Sequence, residues 1–154
     1  KENLNYEVYA KKAFQELFKK ELVEKAAMKL YNYSSSIIAW GKGNGQFDIQ
    51  RLPNEVQFSS LNAMVSTDVN ADGKIDMVMG GNQFGFLPQF GRLDANYGLV
   101  LLNQGKRKLE VVEDKQSGLA ITGQVRDMVL FQQAAQKKVL FIRNNQVPVF
   151  MKLK

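Results

Sequence analysis

The sequence predicts a mainly all-β chain: antiparallel four-stranded units, about two and a half of them, with an N-terminal helical insertion. Three observations carry this. The hydrophobic period changes near Leu30 from helical to strand-like. Beyond it, short apolar runs follow one another, each ended by Gly, Asn or Asp. Two different segments of the chain then recur at nearly the same spacing.

Residues 6 to 30, "YEVYAKKAFQELFKKELVEKAAMKL", have the period of a helix. Phe14, Phe18, Leu22, Ala26 and Leu30 recur every four residues, and Leu17, Val23 and Ala27 widen the stripe. Lysines and glutamates fill the other face, with no Gly or Pro inside and a break expected near Lys19–Lys20. We expect this 1–30 segment to pack on a sheet rather than bind a membrane or a partner.

The apolar runs predict strands in "SIIAW" (36–40), "QFDIQRL" (46–52), "NAMVST" (62–67), "IDMVM" (75–79) and "YGLVLL" (97–102). Four more follow in "KLEVVE" (108–113), "VRDMVLF" (125–131), "KVLFIR" (138–143) and "VPVFMKL" (147–153). Trp40 reads as core at the end of its strand. "GKGNG" (41–45) lacks the GK[ST] ending of a phosphate loop and reads as a β-turn.

At an offset of 64, "NAMVSTDVNADGKIDMVMGGN" aligns with "DMVLFQQAAQKKVLFIRNN", placing Asp68 on Gln132, Asn70 on Ala134, Asp72 on Gln136 and Asp76 on Leu140. At an offset near 62, "WGKGNGQFDI" aligns with "LNQGKRKLEV", placing Gly43 on Gly105 and Phe47 on Leu109. The unit is strand, loop, strand, long loop, strand, Gly hairpin, strand. Four antiparallel strands per repeat is the build of a propeller blade. Within 31–154, residues 62–113 make one blade, 27–53 the end of the blade before, and 123–153 most of the blade after. So few blades cannot close a ring alone. The open sheets should meet further blades of the parent chain, a second copy, or the helical segment.

Composition excludes several chemistries. The 154 residues contain no Cys and no His, so disulfides, thiolate metal sites and a Ser-His-Asp triad are ruled out, and any metal must be held by oxygen. Net charge is +6, with many of the cations in the first thirty residues and the rest scattered, but no Arg-aromatic stripe is present, so no nucleic-acid partner is expected. No apolar run approaches the ~18 residues of a membrane helix. The chain begins with Lys1 rather than Met, and we expect an internal or C-terminal piece of something longer.

The oxygen-rich loop is the one stretch that asks for chemistry. Asp68, Asn70 and Asp72 occupy positions 1, 3 and 5 of a D-x-N-x-D-G-x-x-D pattern, Gly73 permits the sharp turn, and Asp76 closes it. With the carbonyl of Lys74, these residues supply five or six oxygens, which suits Ca²⁺ better than Mg²⁺. An EF-hand needs Glu at position 12 and flanking helices; position 12 is Met79 and the flanks read as strands. The expected role is structural, tying two strands together. The counterpart loop at 132–140 lacks the side-chain ligands yet keeps its strands.

These residues resemble an FG-GAP, or VCBS, repeat, the unit of integrin α-like propellers. The resemblance rests on Asp68 to Asp76 followed by "MVMGGN", on "GKGNGQF" at 41–47, more loosely on "NQGKRKL" at 103–109, and on "GRLDANYG" at 91–98. It departs from the family at Phe58-Ser59, where Phe-Gly stands, and at Gly80-Gly81-Asn82, where Gly-Ala-Pro stands. The closest likeness is to the C-terminal part of bacterial VCBS-repeat proteins. The resemblance implies an extracellular, periplasmic or cell-surface propeller with structural Ca²⁺.

The long loop "GNQFGFLPQFGRLDANYG" (81–98) offers Phe84, Phe86, Phe90, Arg92, Asp94 and Tyr97 as a surface for a protein or carbohydrate, or as packing against a neighbouring blade or the helix. Glu113 and Asp114 have no partner that would make a glycosidase dyad. We expect no enzyme, but a calcium-stabilised binding or assembly module. The alternative is non-catalytic blades of a propeller enzyme acting on polysaccharide.

Overall fold

The computed structural model describes residues 5–134 and 136–153. Residues 1–4 of the helical segment and Ala135 of the 132–140 loop lie outside the described residues. The chain divides into two units, 1–34 and 35–154.

The first unit is not the single helix that its period predicts. It holds three short helices, α1 (Tyr6–Ala10), α2 (Phe14–Leu17) and α3 (Lys20–Glu24). Asn5 caps α1 by accepting from the Glu7 amide at 2.9 Å, and the Glu16 carboxylate accepts from the Ala13 amide at 2.7 Å ahead of α2. The chain turns extended at Ala13 and again at Phe18 and Lys19, so one break falls beside Lys19–Lys20 and another six residues earlier. None of the three helices has a buried residue, and Phe14, Phe18, Leu22 and Leu30 are exposed. Short helices are marginal unless an apolar face is packed, and this stripe is not buried.

The second unit is β throughout except for short helical turns. A two-stranded sheet joins β1 (Ile37–Gly43) to β2 (Gln46–Arg51). A four-stranded meander follows in chain order: β3 (Leu61–Thr67), β4 (Asp76–Gly81), β5 (Leu99–Asn103) and β6 (Leu109–Val112). After a helical turn, α4 (Asp114–Ser117), a three-stranded sheet holds β7 (Val125–Gln133), β8 (Gln136–Arg143) and β9 (Val149–Lys152). Every pairing is antiparallel, and no sheet closes on itself among the described residues.

The two central strands of the four-stranded sheet, β4 and β5, are mostly buried on both faces and read as apolar runs, while β3 at its edge alternates between half-buried and exposed residues. Side chains alternate across the sheet. Val78, Val100, Leu102 and Val112 join Val125, Met128, Val139 and Phe141 of the three-stranded sheet in one core. Met77, Met79, Leu99, Leu101 and Val111 point the other way and meet Ile38, Leu52 and Val56 in a second. Trp40 is mid-strand and half-buried, not core. Its indole N–H donates to Gln50 Oε1 at 2.8 Å, and the Arg107 guanidinium lies 5.6 Å from its ring centroid. Arg107 also reaches Asp48 at 2.8 Å, so the β5–β6 turn is tied to the two-stranded sheet. Lys42 and Arg107 together hold the Asp48 carboxyl below its ordinary value.

The registers repeat. Leu61↔Gly81 and Ala63↔Gly80 flank a bulge in β3–β4, and Val125↔Arg143 and Asp127↔Ile142 flank a bulge in β7–β8. Going from the first pair of strands to the second, Leu61 maps to Val125 and Thr67 to Phe131, while Gly81 maps to Arg143 and Asp76 to Lys138. The counterpart of Asp76 is therefore Lys138, not the Leu140 that a single sequence offset assigns. The β7–β8 pairing runs on to Gln133↔Gln136, which shortens the hairpin tip and moves the second strand by two positions.

The other hairpins repeat as closely. Ile38↔Gln50 matches Val100↔Val112, and Gly41↔Phe47 matches Asn103↔Leu109. Their turns share a backbone: Gly43, Asn44 and Gly45 have φ of 90°, 51° and 72°, and Gly105, Lys106 and Arg107 have 78°, 49° and 64°. "GKGNG" thus closes a two-residue hairpin of the kind that needs two successive left-handed residues.

Gly81 should be the least replaceable glycine here, because a Cβ would sit 1.6 Å from the Ser60 carbonyl oxygen. We expect Gly81→Ala to cost about 3 kcal/mol or more by urea unfolding, since backbone must move. Gly45→Ala, with nothing within 4 Å but a φ of 72°, should cost only about 1 kcal/mol.

Candidate metal centre

The oxygen-rich loop occupies residues 68–75, between the last β3–β4 pair Thr67↔Asp76. Its side chains fold back on its own amides. Asp68 Oδ1 and Asn70 Oδ1 both accept from the Asp72 N–H, at 3.1 and 3.2 Å. Asp68 Oδ2 accepts from Gly73 N–H at 2.9 Å, and Asp72 Oδ1 from Lys74 N–H at 2.9 Å. Ala71 and Gly73, with φ of 60° and 81°, supply the left-handed reversals of this loop.

Asp76 is different in kind. It is fully buried at the start of β4, and among the described residues no lysine or arginine pairs with it. Its two oxygens accept instead from backbone: Oδ2 from Val69 N–H at 2.9 Å and Oδ1 from Asn103 N–H at 2.8 Å. One carboxylate thus joins the base of the 68–75 loop to the end of β5. Charge-assisted bonds of this sort are the strong ones.

Two lysines serve the loop. Lys74 Nζ pairs with Asp72 Oδ2 at 2.9 Å, so its side chain is engaged there as well as its carbonyl being a candidate ligand. Lys137, from β8, donates to the Asp68 carbonyl at 3.2 Å. The Lys74 ammonium and amide hold the Asp72 carboxyl below its ordinary 3.8. A depressed carboxylate lends stability above its ordinary value and loses it as pH falls through the folded one. Lys137 is not visible in the sequence pattern, since it lies on a different strand.

Among the described residues, no three Asp or Glu carboxylates converge on one point. The donor set still fits a hard cation. Asp68, Asn70 and Asp72 each present an oxygen that has spent one lone pair on an amide and keeps another. Asp76 fixes the base of the loop, and all ligands are oxygen.

The second candidate surface is arranged differently. In the β4–β5 loop the Gln83↔Leu93 bridge draws the two arms together. Arg92 lies 5.0 Å from the Phe84 ring centroid, while Phe86, Phe90 and Tyr97 are exposed. Asp94, an exposed residue, accepts from Asn82 Nδ2 at 3.2 Å. Buried Asn82 anchors the loop. Its Nδ2 also donates to the carbonyls of Asn96 (2.7 Å) and Gly123 (2.9 Å), and its Oδ1 accepts from Asn96 N–H and Ser59 Oγ–H. Tyr97, Glu55, Phe58, Glu113 and Asp114 border a neighbouring cleft of ≈ 430 Å³.

No protein-family model, curated protein or solved structure matches this chain. No helix among the described residues is long and apolar enough to cross a membrane.

The two kinds of aspartate should separate in a chelator. Asp76→Ala strands two half-buried amides and should cost about 2–3 kcal/mol in EDTA, read by denaturant unfolding. Asp72→Ala, at an exposed position, should stay within about 1 kcal/mol of wild type under the same conditions.

Proposed function

We propose that this chain is a calcium-stabilised piece of a β-propeller of the FG-GAP or VCBS kind, acting as a non-catalytic binding or assembly module of a secreted or surface protein. One observation carries the reading. The same hairpin occurs twice with the same bulge, and one copy closes it by continued pairing to Gln133↔Gln136. The other replaces that pairing with the oxygen-rich residues 68–75. A hairpin of this register does not need such a loop to fold, so the loop has another task. Gathering oxygens around a cation is the task its composition suits.

Asp68, Asn70, Asp72, Asp76 and the Lys74 carbonyl would hold the ion, which would supply the cross-strand tie. The module's ligand would be a protein or carbohydrate surface. Exposed Phe86 and Phe90, with Arg92 set over Phe84, offer the aromatic and guanidinium contacts such surfaces use.

The test is a calcium titration of the thermal midpoint. Wild type should rise by several degrees as Ca²⁺ goes from chelated to about 10 mM, since a ligand at about 100 Kd adds about 2.7 kcal/mol. Asp72→Ala should lose most of that rise. A flat wild-type curve would sink the calcium reading. Lys74→Gln removes the ammonium that competes for Asp72. We expect it to tighten Ca²⁺ binding about threefold or more by isothermal calorimetry.

A further inference from the structure

We propose that the open edge of β9 is the seat of an added strand, supplied by a partner polypeptide as an extended segment in which apolar and acidic residues alternate. The argument rests on the recurrence of the sheets and not on calcium.

The pairing of β8 with β9 repeats that of β4 with β5. Met77↔Leu101 corresponds to Val139↔Met151, and Met79↔Leu99 to Phe141↔Val149. The counterpart of β5 is therefore β9. The outer edge of β5 is taken by β6, and the same edge of β1 is taken by β2 in the same register. Among the described residues no strand pairs with the outer edge of β9. Leu153 N–H donates inward to the Lys137 carbonyl at 3.0 Å, so by the alternation of antiparallel pairing Phe150 and Lys152 turn their N–H and C=O groups outward. Such an edge is a template for strand addition.

Side chains say what kind of strand fits. A groove of ≈ 380 Å³ runs beside the edge, bordered by Val69, Leu102, Val112, Gln116, Met151 and Leu153. Inside the molecule β6 turns Leu109 and Val111 toward the sheet before it. A strand of the same kind on β9 would turn its two apolar residues into this groove. The residue between them is acidic in both existing strands, Glu110 on β6 and Asp48 on β2. Glu110 stands opposite Leu102, and Asp48 opposite Trp40. The counterpart of both Leu102 and Trp40 on β9 is Lys152, which is exposed. A cation thus stands where the incoming acid would fall, and opposite charges directly across a strand pair stabilise it.

The probe is a labelled peptide with the sequence of residues 106–113, KRKLEVVE, titrated with the full chain in EDTA and read by fluorescence anisotropy. We expect a Kd of about 100 µM or tighter. The Gln104 amide donates toward β6, to the Lys108 carbonyl, so Leu102↔Glu110 is a hydrogen-bonded pair and the Val111 amide points away from β5. N-methylation of the peptide at the Glu110 amide should therefore abolish binding, while N-methylation at the Val111 amide should spare it. Glu110→Lys in the peptide should weaken binding about threefold, and Lys152→Glu in the chain should restore it. A thermal midpoint near wild type serves as the folding check on that variant. No binding at about 1 mM would overturn the proposal. So would equal loss from the two N-methylations, or a charge exchange without rescue, which would place the peptide elsewhere. A chain that is dimeric by light scattering and ignores the peptide would assign the edge to a second copy, and overturns it as well. With calcium chelated throughout, none of these outcomes bears on the metal reading.

Discussion

The constraint on which the 35–154 unit depends is the burial of both faces of the central strands β4 and β5. Moving any strand by one residue would exchange the Val78 and Val100 set for the Met77, Met79, Leu99 and Leu101 set. Each set is shaped for its own neighbour. Gly80 shows how close the fit is: a Cβ there would meet the Val125 side chain at 3.0 Å, so β7 lies almost directly on the β4 backbone. The flanking sheets are fixed by the same requirement, each covering one face of the centre.

Tight stacking leaves the sheet ends as the places where something other than packing can happen. Asp76 stands at one such end. A buried carboxylate with no cation beside it would be costly, and here both of its oxygens are met by amides, from Val69 in the loop and Asn103 in β5. The sheet therefore fixes the base of the loop whatever the loop above it holds. At the opposite end Asn82 plays the equivalent part through its carboxamide, gathering Ser59, Asp94, Asn96 and Gly123. Loops on both sides are rooted in buried polar residues of β4 or its edge.

Much of this was legible in the sequence, and the failures have physical causes. Strand positions were legible because apolar runs of strand length stood between Gly, Asn and Asp. The recurrence of two hairpins was legible from spacing alone. Its second register was not, because an alignment at one offset cannot see that a hairpin tip has been replaced by continued pairing. Nor can composition show that Lys106 and Arg107 adopt left-handed conformations, which follow from the hairpin's twist and not from their own preference. The helix failed for a different reason. A stripe at Phe14, Phe18 and Leu22 states which face could be buried, and helices this short need that burial to persist. At the candidate centre, Asp68 to Asp76 were readable because their spacing is local. The amides that hold Asp76, and Lys137 above Asp68, come from other parts of the fold and left no local trace.

The placement of those lysines bears on what kind of calcium site this would be. Asp68, Asp72 and Asp76 bring three negative charges into nine residues, and Lys74 and Lys137 reach in beside them. An arriving cation would have to displace Lys74 from Asp72 and take lone pairs on oxygens already bonded to amides. Both requirements lower affinity without abolishing it. On the proposed reading, such a loop would keep its shape at low calcium through its Asx turns and would take up the ion only where calcium is abundant. Millimolar calcium is the condition of extracellular modules, which tolerate weak sites because the ion is always present. The charge arrangement and the proposed location therefore support each other, and the loop's own lysines are what would tune the concentration at which it fills.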